Sequence, residues 1–191
     1  MRISKFLVAC WVLFFSAIAI AQSQNPANEK FKQEFLYRIN KVRTVGCSCG
    51  KKYYPAAEPI IWNNTLEFSA GGHAQDMNSQ NYFSHVSKDG RNMEDRITAA
   101  GYVFNGYKSF AIGENIAYGQ QNIAEVQDGW FKSEGHCKNL MNPAFKEIGV
   151  ARNGLYWVQD FGGRESFSPE QQKMIREGNG RLIMKRVKTA E

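Results

Sequence analysis

The chain has 191 residues, 43% of them apolar and 22% charged, with a formal net charge of +6. That balance describes one globular domain and excludes a disordered or fibrous chain. The basic residues are scattered apart from Lys185, Arg186 and Lys188, and no aromatic-interleaved basic stripe occurs, so nothing in the composition points to nucleic acid.

The first 21 residues read differently from the rest. Arg2 and Lys5 precede an apolar run over 6–20, and Ala19-Ile20-Ala21 has the small-x-small pattern of a cleavage site, which predicts a secretory signal peptide over 1–21. The run is shorter than the 18 or so residues a membrane span needs. It also continues past Cys10, so Cys10 belongs to the signal and not to a lipoprotein box. Removing this segment takes away two positive charges from +6, leaving +4 on 170 residues. Such a length buries about 70% of its unfolded surface and supports a core of its own. The expected product, domain 22–163 followed by a polar extension over 164–191, is extracellular or periplasmic and has no membrane span.

Asn25-Pro26 caps a first helix whose Phe31, Phe35, Ile39 and Val42 recur at three or four residues, ending by Gly46. Residues 47–59, with glycine and two prolines, read as a loop. A second helix is capped near Asn63 or Asn64 and carries Leu66, Ala70, His73 and Met77 on one face. Gly71-Gly72 weakens it but lets another element approach closely. His73 sits in the apolar stripe, where a histidine is more often packed or hydrogen-bonded than a ligand. After a turn at Lys88-Asp89-Gly90, Asn92 caps a short helix through Ala100, stopped by Gly101. Residues 102–119 read as extended chain containing Glu114. A capping box over 122–125 opens a helix with Val126, Trp130 and Phe131 toward the core. Residues 148–152 and 155–161, joined by Asn153-Gly154, form a hairpin with a type I′ turn. One more helix follows Ser168-Pro169.

In an oxidising compartment the remaining cysteines, Cys47, Cys49 and Cys137, favour a disulfide. Cys47 and Cys49 are too close to pair with each other, so either of them can bridge to Cys137, leaving one thiol over. The C-x-C spacing with a remote third cysteine lacks the paired C-x-x-C of structural zinc sites.

The stretch over 113–137 concentrates the chemistry. Glu114, Glu134 and His136 lie within it, and His85 in Tyr82-Phe83-Ser84-His85 is the natural fourth member. Two imidazoles and two carboxylates are the donor types that hold a divalent metal or share a proton in acid/base work. Residues two apart lie about 200° apart on a helix, so Glu134 and His136 can serve one site only where the chain departs from helix. The alternative is that His85, Glu114 and His136 are a buried hydrogen-bond network. No nucleotide-binding glycine loop, H-E-x-x-H or G-x-S-x-G occurs.

Asp76-Met77, Phe83-Ser84-His85, Gly101-Tyr102, the run 113–117, Trp130, Gly135-His136-Cys137, the runs 139–143 and 148–151, and the run 156–161 together resemble a bacterial CAP domain. That superfamily, also called the SCP domain, contains cysteine-rich secretory proteins, antigen 5 and plant pathogenesis-related proteins. The resemblance runs from about Phe31 to Gly163. It implies an α+β fold, a three-layer α-β-α sandwich around a mostly antiparallel sheet, with a cleft lined by two histidines and two acids. Those carry over as His85, His136 and Glu114. The second acid belongs three residues after Trp130, where Ser133 stands, so Glu134 is one residue displaced. The resemblance implies a Cys49–Cys137 disulfide, with Cys47 as the alternative to Cys49. It implies a cleft that binds a divalent cation, zinc before others, and a ligand, without catalysis. A metal-assisted hydrolase is the second expectation, and a module binding lipid, sterol or cell-envelope material is the third.

Overall fold

The computed structural model describes residues 26–178 and 185–187; the expected signal peptide and Cys10 lie outside them. The fold is organised around β4, Tyr107–Tyr118, and β6, Tyr156–Ser166, paired antiparallel along nearly their whole lengths. On the far side of β6 runs β5, Glu147–Asn153, also antiparallel, and beyond it β3, Ile61–Trp62, in parallel. A short strand, β7, Lys185–Val187, pairs parallel with Ser109–Ala111 of β4, so the segment read as a polar extension adds a strand to the sheet. The order is β3-β5-β6-β4-β7.

Side chains on a strand alternate between its two faces, and both faces of this sheet are covered. Against one face pack α1, Pro26–Arg43, α4, Ile123–Lys132, and α5, Glu134–Leu140. Phe35, Ile39, Val126, Trp130 and Leu140 meet Ala111, Ala117, Ile148, Val150, Trp157 and Phe161 there. Each large side chain buried in this layer contributes about 2–3 kcal/mol. Against the other face pack α2, Asn64–Gln80, and α3, Met93–Ala99, whose Leu66, Ala70, Ala74, Met77, Met93 and Ile97 meet Phe110, Ile112, Ile116, Tyr156 and Val158. The sandwich is therefore three-layered, as the resemblance implies.

The caps fall where the residue types call for them. Asn63 accepts from the Thr65 and Leu66 amides at the start of α2, and Asn92 and Asp95 form a capping box on α3. The close approach expected at Gly71-Gly72 is made from the other side. A Cβ at Gly149 of β5 would overlap the Glu67 backbone, whereas Gly71 meets only the Ala151 methyl, at 3.7 Å.

Two local readings change. The segment 47–59 holds a small hairpin, β1, Cys47–Cys49, and β2, Lys52–Tyr54, turning at Gly50 with φ of 63°; strands of three residues carry too little alternation to be seen in sequence. In the main hairpin Asn153 pairs with Tyr156, so the two loop residues are Gly154 and Leu155. Gly154 has φ of 58° and Leu155 no positive φ, so the type I′ turn is not formed and glycine leads the loop, as in a II′ turn.

One buried charge joins the outer layer. Arg43, at the end of α1, is fully buried, and its guanidinium donates to the carbonyls of Glu58, Leu140, Asn142 and Phe145. Burial lowers its pKa to about 10, which still leaves it charged at neutral pH. No carboxylate takes part in these bonds; four carbonyl dipoles from three segments serve instead. Replacement by methionine keeps the length but abandons those carbonyls. Arg43→Met is expected to lose about 3 kcal/mol in urea unfolding; a loss below about 1 kcal/mol would mean that water replaces the guanidinium.

Candidate functional site

The site is assembled at the outer edge of β4. Among the described residues, pairing with β7 extends to Ala111, and farther along β4 faces α5. Glu114 and Asn115 are neighbours on this edge and point to opposite faces of the sheet.

Glu114 points toward α2 and α3. It is 2% exposed and both its oxygens are engaged: His85 Nδ1 lies 2.7 Å from Oε1, and Arg96 Nη2 donates to Oε2 at 2.7 Å. Burial raises the cost of ionising Glu114, but the hydrogen bond from His85 and the charge of Arg96 outweigh it, leaving the carboxyl below the usual glutamate range. An ionised carboxylate only accepts, so His85 Nδ1 is the donor. Arg96 also fixes the loop that bears His85. Its Nη1 donates to the His85 carbonyl at 2.9 Å, to the Arg91 carbonyl and to the Ser87 hydroxyl.

His73 has the structural place expected of it. It is buried on α2, with Nε2 bonded at 2.9 Å to the Ser84 carbonyl. A carbonyl accepts, so Nε2 is protonated and the ring pins the residue before His85. Burial pushes its pKa down, keeping it neutral.

His136 arrives from the other face. It is half-buried on α5, its carbonyl accepts from Asn115 Nδ2 at 3.3 Å, and its ring centroid is 6.5 Å from that of Trp130. Burial, and then the electrostatic influence of the His85 ring, lower its pKa. Asn139 closes the edge by donating to the Glu114 carbonyl and to the Asn115 side chain.

Glu134 does not join this set. The chain breaks at Ser133, one residue too early, and residues 134–140 are helical. Glu134 is exposed, paired with Lys138 at 2.6 Å and lying over Gly50. Glu114 is thus bonded to His85 and Arg96, while the His136 carbonyl meets the next residue of the same strand, Asn115. Among the described residues, the only group of three or more histidine, cysteine or acidic ligand atoms within 4.8 Å of one another is Cys47, Cys49 and Cys137. Of these, Cys49 and Cys137 form a disulfide and Cys47 is free.

Sequence reasoning passed over Arg96 and Asp160. Arg96 stands in the apolar stripe of α3 between Met93 and Ile97, all three buried; a cation at such a position is the signal that marks it. Asp160 faces Glu114 across the β4–β6 pair and is 1% exposed, with no hydrogen-bond partner on either oxygen. Burial, and then the charge of Glu114, raise its pKa well above the aspartate range.

A model of the cysteine-rich secretory protein family, CAP, matches residues 36–161. Two Bacillus subtilis (strain 168) proteins are similar. The "uncharacterized protein YkwD" is 40% identical over 114 residues, covering 56% of this chain and 40% of its own. The "uncharacterized membrane protein YlbC" is 38% identical over 103 residues, covering 53% of this chain and 28% of its own. The chain thus spans less than half the length of these curated relatives. Among solved structures, an extracellular SCP-domain protein from Bacillus anthracis str. Ames superposes with a TM-score of 0.57 at 29% identity, over 70% of this chain and 40% of that one. An outer surface protein of Borrelia burgdorferi superposes with a TM-score of 0.56 at 20% identity, over 73% of this chain and 94% of that one, and shares the fold.

The two facing carboxyls respond to pH with opposite signs. Glu114, depressed, contributes stability above about pH 4.3, lost as pH falls through its folded pKa; Asp160, raised, contributes below about pH 3.9 and loses it as pH rises through its own. In urea unfolding at pH 8, Asp160→Asn is expected to be at least as stable as the parent. Glu114→Gln, which strands the buried Arg96, is expected to lose about 3 kcal/mol. A large loss in Asp160→Asn at that pH would show that an ionised Asp160 holds the structure.

Proposed function

The chain belongs to the CAP, or cysteine-rich secretory protein, family, and on that premise we propose that it is an exported binding protein whose cleft takes a divalent cation through His85 and His136. The observation that carries this is the Glu114–His85 pair. A carboxylate on one ring nitrogen turns the other toward a ligand and raises its basicity, which is how metal-binding histidines are held. Both Glu114 oxygens are occupied, so Glu114 acts as this outer partner and not as a ligand. His136, with its lowered pKa, is neutral at pH 7 as a ligand must be. Two imidazoles leave the remaining positions to water or to groups of a bound molecule, and imidazole suits zinc. The same occupancy argues for binding over hydrolysis, because Glu114 would have to leave Arg96 to serve as a base.

Export is supported by the pattern of residues 1–21, by a disulfide that persists in oxidising compartments, and by the B. anthracis relative, which is described as extracellular. Among the described residues no helix is long and apolar enough to cross a membrane.

A second reading rests on a separate groove. A cavity of about 670 Å³ lies between α1 and α4, with Tyr37, Val42, Val45 and Phe131 among its apolar walls and Arg38 and Lys41 at its rim. An acyl chain fits such walls; the two cations share the groove with Glu34 and Asp128, and Arg38 is paired with Glu34 at 3.0 Å. Mass analysis of solvent extracts should recover acyl lipid from the parent and equally from His85→Ala, His136→Ala; lipid absent from both would remove this reading.

For the cleft, calorimetric titration of zinc into metal-stripped protein is expected to give micromolar binding that His85→Ala, His136→Ala loses, and that Glu114→Gln weakens about tenfold or more. Equal binding by parent and double variant would move the ion elsewhere, and no binding by either would leave the cluster as a structural network.

A further inference from the structure

Three sulfurs meet where the β1–β2 hairpin touches α5. Cys47 and Cys49 are two residues apart on β1, so both side chains leave the strand on the same side. Cys49 is bridged to Cys137, with Cα atoms 5.4 Å apart. Cys47 Sγ lies 3.8 Å from Cys137 Sγ, and all three sulfurs fall within 4.8 Å of one another. Cys49 and Cys137 are fully buried, whereas Cys47 is half-buried.

We propose that Cys47, Cys49 and Cys137 form a thiol–disulfide exchange site, in which the bridge moves between Cys49–Cys137 and Cys47–Cys137. In the forward step the Cys47 side chain turns into line with the Cys49–Cys137 bond, from which the triangle of sulfurs departs, and its thiolate attacks Cys137 Sγ. The Cys47–Cys137 bond forms as the Cys49–Cys137 bond breaks, and Cys49 leaves as a thiolate that takes up the proton Cys47 gave up. One thiol and one disulfide stand on each side, so no oxidant or reductant is consumed.

The two bridges close loops of almost equal length. They close sequence separations of 88 and 90 residues, so they constrain the unfolded chain almost equally. Both tie β1 to α5. What differs is the thiol left over. In the observed state it is the half-buried Cys47; in the exchanged state it is the thiol at the buried position 49. The exchange therefore decides whether the protein shows a thiol to outside reagents, small disulfides or a partner's cysteines among them.

Two measurements test this. Cys49→Ala, expressed into an oxidising compartment, is expected to carry a Cys47–Cys137 bridge and no free thiol by mass after alkylation in denaturant. Two free thiols in that variant would overturn the proposal. In the parent, incubation at pH 8.5, acid quench, denaturation and alkylation are followed by trypsin. The peptide of residues 44–51 holds both cysteines, so fragment ions across Ser48 report which one is labelled. Label is expected on Cys49 as well as Cys47, above the level in a sample alkylated without incubation; label confined to Cys47 would overturn exchange in the folded protein. Cys47→Ala, which keeps the observed bridge, sets the background.

Discussion

Glu114 is ionised at a position 2% exposed to water, and the cleft depends on how that charge is met. Taking a carboxylate out of water costs several kcal/mol unless charges and hydrogen bonds replace its hydration. Here one oxygen takes the Arg96 guanidinium and the other the His85 ring. Arg96 belongs to α3, His85 to the loop after α2, and Glu114 to β4, so one charge brings three elements into register. Arg96 repeats the device with its other nitrogen, which gathers the His85 and Arg91 carbonyls and the Ser87 hydroxyl. Such a pair is weak support for net stability, because burial removes much of what attraction returns. What the contacts do fix is place: together they tie the loop bearing His85 to α3 and β4.

The alternation of the sheet explains why the two histidines arrive from opposite sides. Along β4, Phe110, Ile112, Glu114 and Ile116 face α2 and α3, whereas Ala111, Asn115 and Ala117 face the other layer. Across the pair, Glu114 meets Asp160 and Asn115 meets Gln159, so each polar residue on β4 has a polar partner on β6. His85 reaches the edge through Glu114 and His136 through Asn115, one residue apart in sequence. A strand between two partners could not offer this; among the described residues β7 pairs with β4 only over Ser109–Ala111.

What the sequence made legible follows from how local each signal is. Caps at Asn63, Asn92, Asn122 and Ser168, and the periodicities of α1 and α2, depend on neighbours in the chain and were readable. His85, Glu114 and His136 could be singled out because their residue types are uncommon in such settings and because the family resemblance placed them. Arg43, Arg96 and Asp160 escaped, since a charged residue in an apolar stripe looks the same in sequence whether its partners lie four residues away or a hundred. Arg43 reaches Phe145, a separation of 102. The β1–β2 hairpin escaped because three-residue strands carry no usable period, and the pairing of Asn153 with Tyr156 shifted the main turn by one residue.

The position of Glu134 turns on the same helical arithmetic. At seven residues α5 is too short to persist by itself, so its contacts fix it. Residues three apart share a side of a helix. Glu134 and Cys137 form one such pair, and both face the β1–β2 hairpin, Glu134 over Gly50 and Cys137 bonded to Cys49. His136 and Asn139 form the other, and both face the edge of β4 through Asn115 and the Glu114 carbonyl. Since the bridge holds one side of the helix to the hairpin, the side about 100° round is presented to the cleft. The disulfide that fastens α5 therefore also sets where His136 points, and the same rotation carries Glu134 away.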